Sequence, residues 1–151
     1  MEVKIIMGSK LSNTAVKELF DEYKKRLLPY FDVSFLDFKS FDSRSEDEVK
    51  KLTSDKLYKL SEGYYRILLD EKGSLYNSAE FSEWLSGLIE SKKKVAFIIG
   101  GSYGHHRSLT EKCDEIISLS RLTFAHQISL AVLAEQLYRG VSIAHGHPYH
   151  K

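Results

Sequence analysis

The chain is poor in the residues that staple, kink or anchor. One cysteine, Cys113, among 151 residues leaves no partner for an intrachain disulfide, so the fold must hold by packing alone. Two prolines, Pro29 and Pro148, leave long stretches free to run as regular helix or strand. No apolar run approaches the ~20 residues that a helical membrane span needs. An excess of either charge is missing too: 22 Lys and Arg stand against 21 Asp and Glu, a formal net charge of +1 with the signs interspersed. Whole-chain electrostatics therefore supply little attraction to nucleic acid; net charge neither supports nor excludes RNA, which would have to be met through a local patch, shape or the doubled charge of a dimer. The N-terminus lacks the basic, apolar, small-residue pattern of a signal peptide, which with the lone cysteine points to a reducing cytoplasm.

What is present suffices for one core. With 42% apolar and 12% aromatic residues, the sequence predicts a single domain over 1–151. Strand and helix signals alternate. Val3–Gly8 reads as a strand, and Ser12 or Asn13 can cap a helix over Thr14–Leu28 whose apolar face is Val16, Leu19, Phe20, Tyr23 and Leu27. Val33–Phe38 is a second strand. A polar segment, Lys39–Ser45, leads into a charged helix over Glu46–Leu60. Tyr64–Asp70 is a third strand, stopped at Glu71–Ser74, and Ser78 starts a helix with Phe81, Trp84, Leu85 and Leu88 on one face. Lys92–Lys94 then complements that helix's C-terminal dipole. Gln127–Val141 is apolar over so much of its circumference that the sheet and a second subunit are both expected to cover it. The class is α/β with a mainly parallel sheet flanked by helices.

The chain is organised around Val95–His126. An apolar strand, Val95–Ile99, breaks at Gly100-Gly101-Ser102-Tyr103-Gly104; a second apolar burst, Glu115–Ser120, breaks at Arg121–His126. In a parallel sheet the carboxyl ends of two such strands can form one crevice. The glycine run serves either backbone approach to a ligand or a tight turn. It is neither a Walker A sequence nor Gly-x-Gly-x-x-Gly. Leu119–Phe124 offers either an apolar wall with open amides, suited to an adenine edge, or a continuing strand. All six histidines, His105, His106, His126, His145, His147 and His150, fall in the last third, where proton exchange near neutrality would be available. Their spacing invites a metal, but no supporting carboxylate or thiolate pattern accompanies it, so no metal is expected. No Gly-x-Ser-x-Gly elbow supports a serine hydrolase, and Cys113, with no adjacent base, reads as a structural thiol.

Four ordered motifs, Phe97–Gly104, Ser118–Gln127, Leu133–Arg139 and His147-Pro148-Tyr149-His150-Lys151, resemble the RlmH family, SPOUT-class methyltransferases of large-subunit (23S) ribosomal RNA. The resemblance spans the chain. It implies a fold with a C-terminal trefoil knot, a homodimer, and methylation of N3 of a pseudouridine with S-adenosylmethionine as donor. It carries donor contacts onto Leu69, Gly100, Leu119, Ser120, Arg121, Leu122, Thr123 and Phe124, and substrate contacts onto Arg121, Arg139 and Lys151. His147, Tyr149 and His150 become the catalytic candidates: a tail histidine, or water held by it, would accept the N3 proton while Tyr149 and Lys151 orient the base or phosphate. The low net charge makes the assembled ribosome a better substrate than a short oligonucleotide. The chain departs from the family pattern at Ala125, often Pro, and at Leu130, often an Arg whose loss would remove an RNA-phosphate contact and leave Arg121, Arg139, Lys151 or Lys92–Lys94 to supply charge. Two rivals stand beside this reading: a non-catalytic RNA-binding or ribosome-associated factor, and a small nucleotide- or metal-dependent hydrolase.

Overall fold

Side-chain alternation along the inner strands decides which helices lie on which face. The computed structural model describes residues 1–43 and 45–151; Arg44, within the polar Lys39–Ser45 segment, lies outside the described residues. In chain order the elements are β1 (Glu2–Met7), α1 (Thr14–Leu27), β2 (Asp32–Asp37), α2 (Glu46–Leu60), β3 (Tyr65–Leu75), α3 (Ser78–Ser91), β4 (Lys94–Ile99), α4 (Arg107–Thr110), β5 (Glu115–Ser118) and α5 (His126–Ala144). The five strands pair in parallel in the order β2-β1-β4-β3-β5.

Val3, Ile5 and Met7 of β1, and Val95, Phe97 and Ile99 of β4, face a core completed by Phe20 and Leu27 of α1, Phe81 and Leu85 of α3, and Leu130, Leu133 and Leu137 of α5. The intervening Ile6, Ala96 and Ile98 face the other side, where Leu57 of α2 and Leu109 of α4 meet them. The period-2 pleat thus turns two continuous apolar runs into two separate cores. Each fully buried side chain such as Phe97 contributes on the order of 1.5–3 kcal/mol. Asn13 and Ser45 cap α1 and α2, and Asn77 with Glu80 forms a reciprocal capping box on α3.

Several expectations change. β3 does not stop at Asp70 but runs to Leu75, with a register shift against β5 between Leu69 and Ser74. Gly73 permits it, since a Cβ there would lie 2.6 Å from the Ile117 carbonyl carbon. β5 ends at Ser118 rather than Ser120, and the short helix α4 was not legible in the polar run after Gly104. Leu19 is on the outer side of α1, 42% exposed. α1 and α3 flank α5 on the sheet and cover much of its apolar circumference, while Ile128 stays 45% exposed. Lys92–Lys94 does not serve the last turn of α3: Lys92 lies over the Tyr65 ring, and Lys94 starts β4, paired with Glu2 and over Tyr64. That corner is the amino end of the sheet, roughly 20 Å from the strands' carboxyl ends at ~3.3 Å per residue.

Candidate active site

The carboxyl ends of β4 and β5, with the middle of β3, open onto one cavity of about 670 Å³, a volume ordinary for a small-molecule site. Its walls come from three segments: Leu69–Lys72 within β3, where that strand shifts register against β5; Ile99–His105 at and after the end of β4; and Leu119, Ser120 and Leu122–His126 after β5, with Ser129 one turn into α5. The two bends expected to converge therefore do so, with the middle of β3 between them.

Each wall is fixed by its own local chemistry. In the glycine segment, Gly104 N–H donates to Gly101 C=O at 2.8 Å, and Gly104 sits at φ +77°, the left-handed region where glycine is unstrained. Gly101 packs against β1's exit, where a Cβ would stand 2.9 Å from the Gly8 carbonyl oxygen. The run is thus a tight turn that also forms one wall of the cavity. The 119–124 wall is no continuing strand. Ser118 Oγ donates to Ser120 C=O, Ser120 Oγ accepts from Leu122 N–H at 3.0 Å, and Leu122 is left 74% exposed.

Three further bonds tie this wall to the second half of β3. The Arg121 guanidinium donates to the carbonyls of Glu71 and Gly73 at 2.5 and 3.0 Å, and Thr123 Oγ1 donates to Glu71 Oε2 at 2.5 Å. Arg121 is accordingly outside the lining, while the other seven expected donor contacts, Leu69, Gly100, Leu119, Ser120, Leu122, Thr123 and Phe124, all line the cavity. At the head of α5, Gln127 Oε1 accepts from the N–H groups of Ser12 and Asn13, which locks the helix start to the β1–α1 connection. Ala125, the N-cap, holds φ −58°, a value proline would also take, so alanine there changes the backbone little.

Six titratable lining residues escaped the site expected from sequence: Asp70, Glu71, Lys72, Tyr103, His105 and His126. His105 Nε2 lies 3.0 Å from Asp70 Oδ2. Burial lowers the His105 pKa from the ordinary imidazole value, Asp70 opposes that, and Lys50 and Lys72 add to it. His126 is lowered by burial. Histidine clustering was the available signal, but only the turn at Gly104 shows that His105, and not His106, faces the cavity. His106 instead uses Nδ1 to accept from Ser108 N–H at the head of α4. Among the described residues no group of three or more His, Cys, Asp or Glu is arranged to hold a metal.

The C-terminal candidates lie elsewhere. Tyr149 OH is 2.9 Å from Tyr23 OH of α1 and donates to Glu135 Oε1 of α5 at 3.0 Å. Arg139 donates twice to that same Glu135 oxygen, at 2.9 and 2.6 Å, and its Nη1 is 3.2 Å from His150 Nδ1. His147 N–H donates to Ser142 C=O, and Lys151 is exposed. Glu135 and Tyr138, on which the tail rests, are roughly 14–18 Å along the helix axis from His126 at 1.5 Å per residue. Within one chain the tail does not reach the cavity: none of His147, Tyr149, His150 and Lys151 lines it. Leu130 is fully buried in the core, at a position with no access to solvent within the chain.

Similarity to known proteins agrees with this geometry. A family model described as "Predicted SPOUT methyltransferase" matches residues 1–150. The protein named ribosomal RNA large subunit methyltransferase H from Dictyoglomus thermophilum is 37% identical over 153 residues, covering 99% of both chains. Its namesake from Flavobacterium johnsoniae is 39% identical over 155 residues, again 99% of both, and that from Acetivibrio thermocellus is 36% identical over the full length of both. Among solved structures, TrmJ from Z. mobilis ZM4 superposes with a TM-score of 0.51 over 93% of this chain and 70% of its own, at 8% identity, a likeness of fold.

Proposed function

The chain belongs to the SPOUT methyltransferase family, alongside relatives named ribosomal RNA large subunit methyltransferase H, and from that premise we propose that it transfers a methyl group from S-adenosylmethionine to N3 of a pseudouridine in large-subunit ribosomal RNA. The observation that carries this reading is the convergence of the 69–72, 99–105 and 119–126 segments on one cavity. Open main-chain groups and small residues there suit the edge of an adenine, and the Leu69, Leu119 and Phe124 side chains suit its faces. Asp70 and Glu71 supply negative charge for a sulfonium and an α-ammonium group.

Methyl transfer needs an acceptor nitrogen in line with the sulfonium methyl, and holding the pair in that geometry is capable of contributing several kcal/mol, about 7–11 in well-oriented cases. The bound donor supplies the electrophilic carbon; the protein positions it and excludes water. The tail is the part of the reading that needs a second copy. His147, Tyr149 and His150, with Lys151 and Arg139, meet the acceptor base and its phosphates from the partner of a homodimer, since within the chain they rest far along α5. Arg121 contributes by fastening the donor wall. The C-terminal knot belongs to the same proposal, as does the cytoplasm, where ribosomes are.

With only one net positive charge per chain, the substrate is the folded ribosome, read by shape and local contact rather than by bulk attraction. Calorimetry with S-adenosylmethionine, followed by transfer of labelled methyl to ribosomes lacking this modification, tests the reading. Binding of the donor with methylation of the ribosome, and little of the naked stem-loop, is expected. No donor binding would leave a non-catalytic ribosome-associated factor.

A further inference from the structure

Of the six histidines, one combines an opening on the cavity with a carboxylate partner. His105 lies in the connection between β4 and α4, its side chain 14% exposed, with Nε2 3.0 Å from Oδ2 of Asp70, itself 21% exposed at the end of the first half of β3. The carboxylate stands beside Nε2 as its charge partner, which favours the proton on that nitrogen and leaves Nδ1 as a lone-pair acceptor; among the described residues no protein group bonds Nδ1. This is how an imidazole is prepared as a base: a carboxylate behind it holds the ring and stabilises the cation that forms.

The other histidines lack one requirement or the other. His126 lines the cavity but has burial alone acting on it and no carboxylate behind it. His106 has its Nδ1 occupied by Ser108, and His145 has its Nδ1 against the Val141 carbonyl. The Nδ1 of His150 is taken by the Arg139 guanidinium.

Resting on the methyltransferase reading, we propose that His105, oriented by Asp70, accepts the imide proton of the acceptor base during methyl transfer, in place of a tail histidine. The step balances as follows. The N3–CH₃ bond forms as the S–CH₃ bond breaks, the donor leaves as a neutral thioether, and the N3 proton passes to His105 Nδ1, giving an imidazolium beside the Asp70 carboxylate. Solvent removes that proton once the product has left. Asp70 is a positioning residue in this scheme. The charged groups around His105 are Asp70 and Lys72 from β3 and Lys50 from α2; burial, Lys50 and Lys72 lower its pKa below the ordinary imidazole value against the opposing pull of Asp70, which favours the neutral ring that a base requires.

The test compares wild type with H105Q, D70N and H150Q on unmodified ribosomes at saturating donor across pH, with donor affinity by calorimetry. Wild-type kcat should fall on the acid side as His105 protonates, below the ordinary histidine range. H105Q should bind donor with unchanged affinity and lose about 10²- to 10⁴-fold in kcat, together with that acid limb. D70N should keep the limb but shift it to lower pH, because the carboxylate no longer supports the cation. H150Q should retain the limb. Full activity in H105Q, loss of donor affinity in H105Q, a limb unmoved in D70N, or a limb abolished in H150Q each overturns the proposal. If wild type itself neither binds donor nor methylates ribosomes, the methyltransferase reading fails and takes this role with it; if it does both, the variants judge His105 alone.

Discussion

The two ends of α5 are built on opposite plans. At its head, the walls of the cavity are largely main chain, pinned from outside by Arg121 and Gln127 and within the wall by the Thr123–Glu71 bond. Along its latter half, Tyr23, Glu135, Arg139, Tyr149 and His150 satisfy one another in a closed network, with the Tyr149 ring 4.8 Å from Tyr138 and 4.9 Å from the Arg139 guanidinium. A binding site needs unsatisfied groups held still, and the first plan provides them. The second provides a fastener. Groups that already have partners contribute to a substrate only by exchanging them, which is why the tail's polar side chains make sense as contacts for a neighbouring copy or as a rest position.

Breaking what the two ends share should have the largest effect. Leu137 is fully buried midway along α5. Leu137→Ala should cost about 2–5 kcal/mol, with donor binding and tail docking lost in one thermal transition; two separate transitions would show the ends to be independent. Next, Arg121→Ala should separate them. Removing its bonds to the Glu71 and Gly73 carbonyls should weaken donor binding by about 10- to 100-fold, the equivalent of roughly 1.5–3 kcal/mol for charge-assisted bonds, while the melting temperature changes little. An unchanged donor affinity would mean that the 119–124 wall stands without its fastener.

Tyr149→Phe is the mirror experiment. It deletes the hydroxyl between Tyr23 and Glu135 and should lower stability by about 1 kcal/mol, or about 2–4 °C, leaving calorimetric donor affinity intact. Alkali should loosen the same end. Burial, Tyr23 and Glu135 raise the Tyr149 pKa above the ordinary phenol value of roughly 10. Because the folded value is the higher one, the contribution is fully present below pH ~10 and is lost as pH rises through the folded pKa. Tyr64 and Tyr65, raised to about 12 through Glu2 and through burial, should titrate with it at the far end of the sheet. Tyrosinate absorbance appearing near pH 10 for all of these residues would contradict the network. The smallest effect is expected at Cys113, whose thiol burial pushes up to about 11. Alkylation at neutral pH should be slow beside a free thiol and leave activity unchanged.

Much of the fold was legible because its signals are local. The helix α2 falls on Glu46–Leu60 as the charge pattern and the Ser45 cap dictate, and Val95–Ile99 could only be an inner strand. Where a residue's fate depends on a neighbour distant in sequence, reading failed. The extension of β3 past Asp70 needs Gly73 to slide against Ile117, and Leu19 follows helical spacing yet stays 42% exposed. The site divides the same way. Leu69, Gly100 and the 119–124 segment were identified by motif, whereas Asp70 and His105, separated by 35 positions and a whole helix and strand, come together only through β3 and β4 pairing in parallel.

By itself, then, the sequence determined the alternation of strands and helices, the two loops that end β4 and β5, and membership in a methyltransferase family, because hydrophobic period, turn chemistry and motif spacing are written within a few residues of one another. The tertiary structure alone decided that Arg121 fastens a wall instead of lining it, that the tail rests on α5 away from its own cavity, and that one histidine of six gains a carboxylate. Those outcomes depend on strand order and register, which bring distant residues within hydrogen-bond reach and which no local pattern encodes.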